Sequence, residues 1–93
     1  MTQDEEIRRG MRAEELMQDP LLIEAFSEIE NGVISAMKRV AIGDEKAHRE
    51  LIYMLQVIGS VKNHFQQVIQ TGKMARLQAE ESKAKKLLRR VVG

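Results

Sequence analysis

Glu45 and His48 form a Glu-x-x-His pair, the pattern in this sequence best suited to holding a metal ion. In helical bundles, two such pairs on facing helices bind a di-iron centre together with two further glutamates. This sequence contains the pair once, in the first turn of a predicted helix, so it supplies too few ligands for a closed site. The pattern therefore favours a surface histidine, and we expect no metal.

His64 and the Gly72-Lys73 dipeptide are the other candidates for chemistry. No Ser or Asp is placed to form a nucleophilic group with His64, so we expect this ring to face solvent or a partner. A phosphate-binding loop would need a glycine five positions before Gly72, where Gln67 stands. The sequence predicts no catalytic residue, no cofactor and no enzymatic activity.

Composition restricts the fold class. A chain of 93 residues has room for a small core only. It has one proline and six glycines, too few for the repeated turns of a β-sandwich or barrel. It has no cysteine, which excludes disulfides and suits a reducing cytosol. The acidic N-terminus does not resemble a signal peptide, and no apolar run approaches the roughly 20 residues that cross a bilayer. We predict one all-α domain over residues 1–93, with no membrane contact.

Four helices are predicted, at residues 3–18, 20–42, 44–71 and 73–91. Thr2 has the spacing to Glu5 of a capping box. Asp19-Pro20 ends the first helix and starts the second, because Asp is a good N-cap and Pro is favoured at the first helical position.

Glycines punctuate the remaining predicted boundaries. Gly43-Asp44 is expected to end the second helix and cap the third. Gly72 is placed for a left-handed C-cap, although the helix-forming residues after it would also allow the helix to continue with a kink. Gly10, inside the first predicted helix, marks close packing or a weak point.

Apolar residues recur at alternating steps of four and three, the spacing of a heptad seam. This spacing and the short connection predict an antiparallel hairpin of the second and third helices, flanked by an N-terminal helix and a basic C-terminal helix. Its expected core is Leu51, Met54, Ile58, Val61 and Phe65 against Phe26, Ile29, Val33 and Val40. Because Ile52 and Val57 lie off this seam, we predict that they bind a partner and that the chain forms a homo-oligomer.

The last predicted helix is basic and amphipathic. Residues 1–43 hold nine acids and five bases, whereas residues 73–93 hold seven bases and two acids. Four of the bases project roughly opposite an apolar face, namely Arg76, Lys83, Lys86 and Arg90. The candidate partner-binding residues are Lys83, Lys86, Arg89 and Arg90. They could form a solvated face, contact nucleic acid or membrane, or dock on an acidic protein. The segment lacks aromatic side chains, which disfavours nucleic acid and membrane, so the acidic protein is the preferred specific partner.

Residues 12–26, RAEELMQDPLLIEAF, resemble the opening of small helical proteins encoded among the head and packaging genes of tailed bacteriophages. The similarity continues through residues 44–51 and 72–75 and includes no catalytic motif. It implies a virion or assembly protein, built as a helical hairpin and repeated around a symmetric structure. Other phage structural proteins would be its partners, in the virion or the host cytoplasm.

Two further functions remain open at the level of sequence. The first is a small phage-encoded inhibitor or sequestering protein acting on a host defence system. The second is a DNA-binding accessory of packaging that uses the basic C-terminal residues.

Overall fold

The computed structural model describes residues 1–92 and confirms the all-α class. The helices are α1 (Gln3–Gln18), α2 (Pro20–Arg39) and α3 (Glu45–Val92), and no β-strand occurs in the described residues. None of these helices is both long enough and apolar enough to span a bilayer.

Side-chain caps begin α1 and α3 as the sequence predicts. The Glu5 amide donates a hydrogen bond of 3.2 Å to Thr2 Oγ1, and the Ala47 amide donates one of 3.1 Å to Asp44 Oδ1. Each bond satisfies an amide that has no acceptor within its own helix. The starts of these helices are therefore decided by residues three positions apart in the sequence.

Asp19 caps α2 in the same way and separates it from α1. Its Oδ1 accepts hydrogen bonds from the amides of Leu21 at 2.9 Å and Leu22 at 3.2 Å. Pro20 follows as the first helical residue, where its missing N–H costs nothing. The predicted boundary at Asp19-Pro20 is confirmed.

Replacing Asp19 with alanine should lower the free energy of unfolding by about 1 kcal/mol, because two amides at the start of α2 lose their acceptor. Chemical denaturation of the purified chain measures the change. Asp19→Asn is the control, since asparagine caps about as well as aspartate. Equal losses in the two variants would mean that the charge of Asp19, rather than its capping bonds, stabilises the fold.

The end of α2 differs from the prediction. The helix stops at Arg39 rather than at residue 42, because Val40 adopts extended backbone angles, φ −74° and ψ 136°. Its amide still donates to the Ala36 carbonyl oxygen at 3.1 Å. Lys38 and Arg39 occupy the last turn, where positive charge complements the helix dipole.

The predicted break at Gly72 is wrong, since α3 runs without interruption from Glu45 to Val92. No glycine in the described part of the chain has a positive φ, so Gly72 does not form a left-handed cap. The residues after it, from Lys73 to Leu77, are good helix formers and carry the helix on. Gly72 is buried in the middle of the helix.

The chain divides into two compact units, and α3 supplies residues to both. Unit 1 combines residues 1–15 with the chain from Phe65 onward, and unit 2 comprises Leu16–His64. Folding of residues 1–93 as a single domain stays a prediction. Among residues 1–92 the buried apolar side chains are Ala13, Ile69 and Ala75 in unit 1 and Val33 in unit 2. The cores are thin, as expected for so short a chain.

Candidate interaction surfaces

In unit 2, α3 contributes a half-buried row that alternates steps of four and three. The row consists of Leu51, Leu55, Ile58 and Lys62. On α2, the residues removed from solvent include Phe26, Glu30 and Val33. This row, which we call the inner row, shares Leu51 and Ile58 with the predicted seam.

Phe65 of the predicted seam is half-buried as well, but two other predicted seam positions on α3 are wrong. Met54 and Val61 are exposed, as is Ile29 on α2, whereas Leu55 and Lys62 are half-buried. The predicted seam and the inner row both contain Leu51 and Ile58. They differ in the residue between these two, which is Met54, three positions after Leu51, in the seam and Leu55, four positions after it, in the inner row. Sequence spacing alone therefore could not choose between them.

Lys62 is the charged member of the inner row, and two contacts of its ammonium group account for its position there. Its ammonium forms a salt bridge with Glu30, and its Nζ lies 5.5 Å from the centre of the Phe26 ring. The aliphatic stem of a lysine can cover apolar surface while its charged end stays paired. A cation over an aromatic ring adds a further favourable contact. The ion pair thus allows Lys62 to occupy a position that a sequence pattern would reserve for an apolar residue.

In unit 1, α1 and α3 meet at two glycines. A Cβ atom built on Gly72 would lie 2.8 Å from Gly10 Cα and 2.9 Å from the Glu6 carbonyl oxygen. A Cβ built on Gly10 would lie 2.9 Å from Gly72 Cα. These distances are below van der Waals contact, so the two backbones approach as closely as they do only because neither residue has a side chain. The close-packing interpretation of Gly10 is confirmed.

Small residues continue this contact face of α3. Ala75 is buried and Ala79 is half-buried, three and seven positions after Gly72. On α1, Ala13 is buried three positions after Gly10. Arg76 donates a hydrogen bond of 3.6 Å to the Met11 sulfur beside this contact. We call Gly72, Ala75 and Ala79 the small-residue face of α3.

Two of the candidate partner-binding bases face the start of α1. Lys83 and Lys86 line a groove of unit 1 together with Arg76 from α3 and Gln3 and Asp4 from α1. Asp4 belongs to the acidic first turn of α1. Arg89 and Arg90 are exposed in the last turn of α3. Lys83 and Lys86 therefore have a negatively charged neighbour within the chain, which the sequence did not predict.

The apolar side of the same helical segment is exposed. It consists of Met74, Leu77, Ala84, Leu88 and Val91, which we call the apolar stripe. At a rotation of about 100° per residue, the stripe lies well over a quarter turn around the helix axis from the small-residue face, which contacts α1. The segment thus uses its smallest side chains for its contact with α1 and leaves its largest apolar ones exposed.

Ile52 and Val57 are also exposed, as expected of partner-binding residues. They lie about 140° apart around α3, at 3.6 residues per turn, so they do not share a face. Val57 instead has Met54 and Val61 as exposed neighbours, three positions before it and four positions after it. These three residues, which we call the outer row, form a continuous apolar surface beside the inner row.

In the Glu45–His48 pair, the histidine contacts the loop that precedes α3. The Nε2 atom of His48 lies 3.1 Å from the Ala41 carbonyl oxygen, so the half-buried ring links the start of α3 to the preceding loop. Within residues 1–92, no group of three or more His, Cys, Asp or Glu side chains is placed to hold a metal ion.

Sequence reasoning missed the Gly10–Gly72 contact and the inner-row role of Lys62. The glycine contact did leave a signal, because Gly10 and Ala13 have the same i, i+3 spacing as Gly72 and Ala75. Small residues at this spacing form a flat face that admits another helix backbone. Lys62 left no such signal, since its pairing with Glu30 spans 32 positions.

Comparison with protein-family models finds no matching family, and comparisons with curated proteins and with solved structures find no match.

Proposed function

We propose that this chain is a non-enzymatic structural or assembly component that acts through helix-mediated protein–protein contacts. The exposure of large apolar side chains along α2 and α3 carries the proposal. The resemblance of residues 12–26 and 44–51 to phage head and packaging proteins suggests a tailed-phage particle, in its head or portal region. Its partners are then further copies of the chain and other structural proteins of the virion.

The assembling element in this proposal is an antiparallel hairpin of α2 and the first part of α3. Contacts inside unit 2 support it. His48, near the start of α3, contacts Ala41, which follows α2. Lys62, later in α3, contacts Glu30, which lies earlier in α2. When later residues of one helix contact earlier residues of the preceding helix, the two helices are antiparallel neighbours.

The outer row supports an interface on this hairpin. Met54 is 51% exposed, and Val57 and Val61 are exposed beside it. Ile29 of α2 is exposed as well. Contiguous exposed apolar side chains on a small protein mark a protein contact. Burying them against a partner is favourable by roughly 25 cal/mol for each Å² of apolar surface removed from water.

Self-association is the first consequence to test. Sedimentation or light scattering over a concentration series should show an oligomer of the purified chain. The double variant Val57→Gln/Val61→Gln, in the outer row, should weaken the association by about tenfold, since each side chain contributes roughly 1.5 kcal/mol if it is fully buried.

Gln66→Ala, at another exposed position of α3, is the matched control and should leave the oligomer unchanged. A monomer at every concentration would contradict the proposed homo-oligomer. For the phage context, mass spectrometry of purified virions should detect the chain in the particle, and its absence there would contradict that part of the proposal.

A further inference from the structure

We infer that the C-terminal part of α3 pairs with the same segment of a second copy of this chain, parallel and in register, along the apolar stripe. The inference rests on the proposed function and deepens it, because it names the surface, the orientation and the ion pair through which one copy meets another.

The stripe has the spacing of a coiled-coil seam. Its members follow one another at steps of 3, 7, 4 and 3, so they take the two inward positions of the heptad, a and d, and Glu81 fills the remaining a position. Leu88 is 62% exposed, and Met74, Leu77 and Val91 are exposed as well. The row extends over more than two heptads, which is long enough for a helix–helix seam.

The helix α1 packs on outer positions of the same heptads. Gly72 and Ala79 take the f position and Ala75 takes the b position, and both positions point away from a coiled-coil partner. Gly72 meets Gly10 of α1 there. A second copy can therefore reach the stripe without displacing α1.

Most of the positive charge of α3 also points away from the seam. Residues 73–92 hold seven bases and two acids. Five of the bases take b, c or f positions, well over a quarter turn from the stripe, namely Arg76, Lys83, Lys86, Arg89 and Arg90. Two copies joined along the stripe would hold these bases on the outside, where salt screens their repulsion.

The flanks of the stripe select a second copy as the occupant. In a parallel pair, each flanking g residue of one helix lies opposite the e residue five positions later in the other. The three pairs that this rule forms between two copies are Lys73–Gln78, Glu80–Lys85 and Leu87–Val92. One of these pairs is oppositely charged, one is apolar, and none brings like charges together. The two-fold symmetry of the dimer makes each contact twice.

The same flanks disfavour an antiparallel pair. In that arrangement e positions face e positions, so Lys85 would face only Gln78, Val92 or another Lys85. None of these residues is acidic. The salt bridge to Glu80 is available only in the parallel orientation, and ion pairs at e and g positions set the orientation of coiled coils.

Glu81 is the unfavourable residue of this contact. In a parallel pair it lies beside Glu81 of the second copy, and a lone polar residue at an a position fixes register at a cost in stability. Glu81→Leu should therefore strengthen self-association by about tenfold or more, because a like-charge contact is replaced by an apolar one. Weaker association of this variant would contradict the register.

Sedimentation of the full chain over a concentration series measures the ion pair. Glu80→Lys and Lys85→Glu should each weaken self-association by about fivefold, because each places like charges on both flanks of the seam. The double variant Glu80→Lys/Lys85→Glu exchanges the two charges and should restore the wild-type affinity. Rescue of this kind requires that both residues belong to the same contact between two copies.

Orientation is tested by disulfide crosslinking, which the chain permits because it has no cysteine. Val91→Cys, at a d position, should give a disulfide-linked dimer when oxidised by copper phenanthroline in air. Arg90→Cys is the matched control at the adjacent, outward c position and should crosslink far less. In a fully overlapping antiparallel pair, residue 91 would lie beside Met74 instead of its own counterpart.

The apolar contribution is tested with Leu77→Gln/Leu88→Gln, which should weaken self-association by about tenfold or more, because both side chains leave the seam. Leu21→Gln, at a leucine of α2 that is 73% exposed, is the matched control and should leave it unchanged. Circular dichroism should show the same helix content in all variants, because every substituted residue is exposed.

Failure of this inference can be told apart from failure of the proposed function. An oligomer that the Leu77/Leu88 variant leaves unchanged, loss without rescue in the charge-exchange variant, or equal crosslinking at residues 90 and 91 would overturn the inference, while the proposed self-association would stand. Binding of duplex DNA or of phosphatidylserine vesicles that only the Leu77/Leu88 variant abolishes would assign the stripe to that ligand instead. A chain that is monomeric at every concentration would contradict both proposals.

Discussion

Replacing Ile69 with alanine should lower the free energy of unfolding by about 2–5 kcal/mol. The side chain is 5% exposed, so almost its whole apolar surface leaves water on folding. It lies beside the Gly10–Gly72 contact, in a small depression that Ile7 and Met11 also line. Deleting three carbons there removes burial and leaves a void that the two helices cannot fill by moving closer, because their backbones already touch.

Ile23→Ala is the matched control for Ile69. It makes the same change on a helix surface, at a residue that is 49% exposed. Its loss should be well under half that of Ile69→Ala, because only part of its side chain is covered. Urea denaturation of both variants measures the two differences. Similar losses would mean that Ile23 is covered in solution, as it would be in an oligomer.

Replacing Gly72 with alanine should destabilise the chain by about 1–3 kcal/mol, even though alanine is the better helix former. The added methyl group would lie 2.8 Å from Gly10 Cα and 2.9 Å from the Glu6 carbonyl oxygen. Both are backbone atoms, so neither can swing aside as a flexible side chain would. The helices would have to separate, and the burial of Ala75 would decrease.

Gly59→Ala supplies a control of opposite sign on the same helix. A Cβ at Gly59 meets nothing within 4 Å, so the variant should be stabilised by up to about 1 kcal/mol through helix propensity alone. Thermal or chemical unfolding of the two variants should therefore move in opposite directions. Stabilisation by Gly72→Ala would show that the close contact of α1 with α3 does not form.

The pair Gly10→Ala and Gly72→Ala should also be less than additive. Either methyl group alone forces the backbones apart, so the second one enters a gap that the first has already opened. A double-mutant cycle measures this coupling. Strict additivity would indicate that the two glycines do not meet.

Local features of the chain were predictable. Capping by Thr2, Asp19 and Asp44 involves a side chain and an amide two or three positions away, so residue type and spacing are sufficient to locate it. The helical class followed from the recurrence of aliphatic residues and the shortage of turn residues. The exposure of Ile52 and Val57 was also anticipated from their positions off the seam.

Features that depend on a second helix were not predictable in the same way. The rows containing Met54 or Leu55 fit α3 equally well by spacing, and the presence of Glu30 to pair with Lys62 favours the second. The sequence around Gly72 was compatible with a left-handed cap or with a helix that continues, and only the structure shows Gly72 inside α3, packed against Gly10.

The sequence by itself determined that this chain is helical, where α1, α2 and α3 begin, and that its C-terminal residues are basic and amphipathic. The tertiary structure alone decided that one helix runs from Glu45 to Val92, which row of it is covered, and that the small-residue face rather than the apolar stripe meets α1. The reason is that caps and helix propensity act within one turn. Burial, by contrast, depends on which residues far away in the chain come to lie opposite.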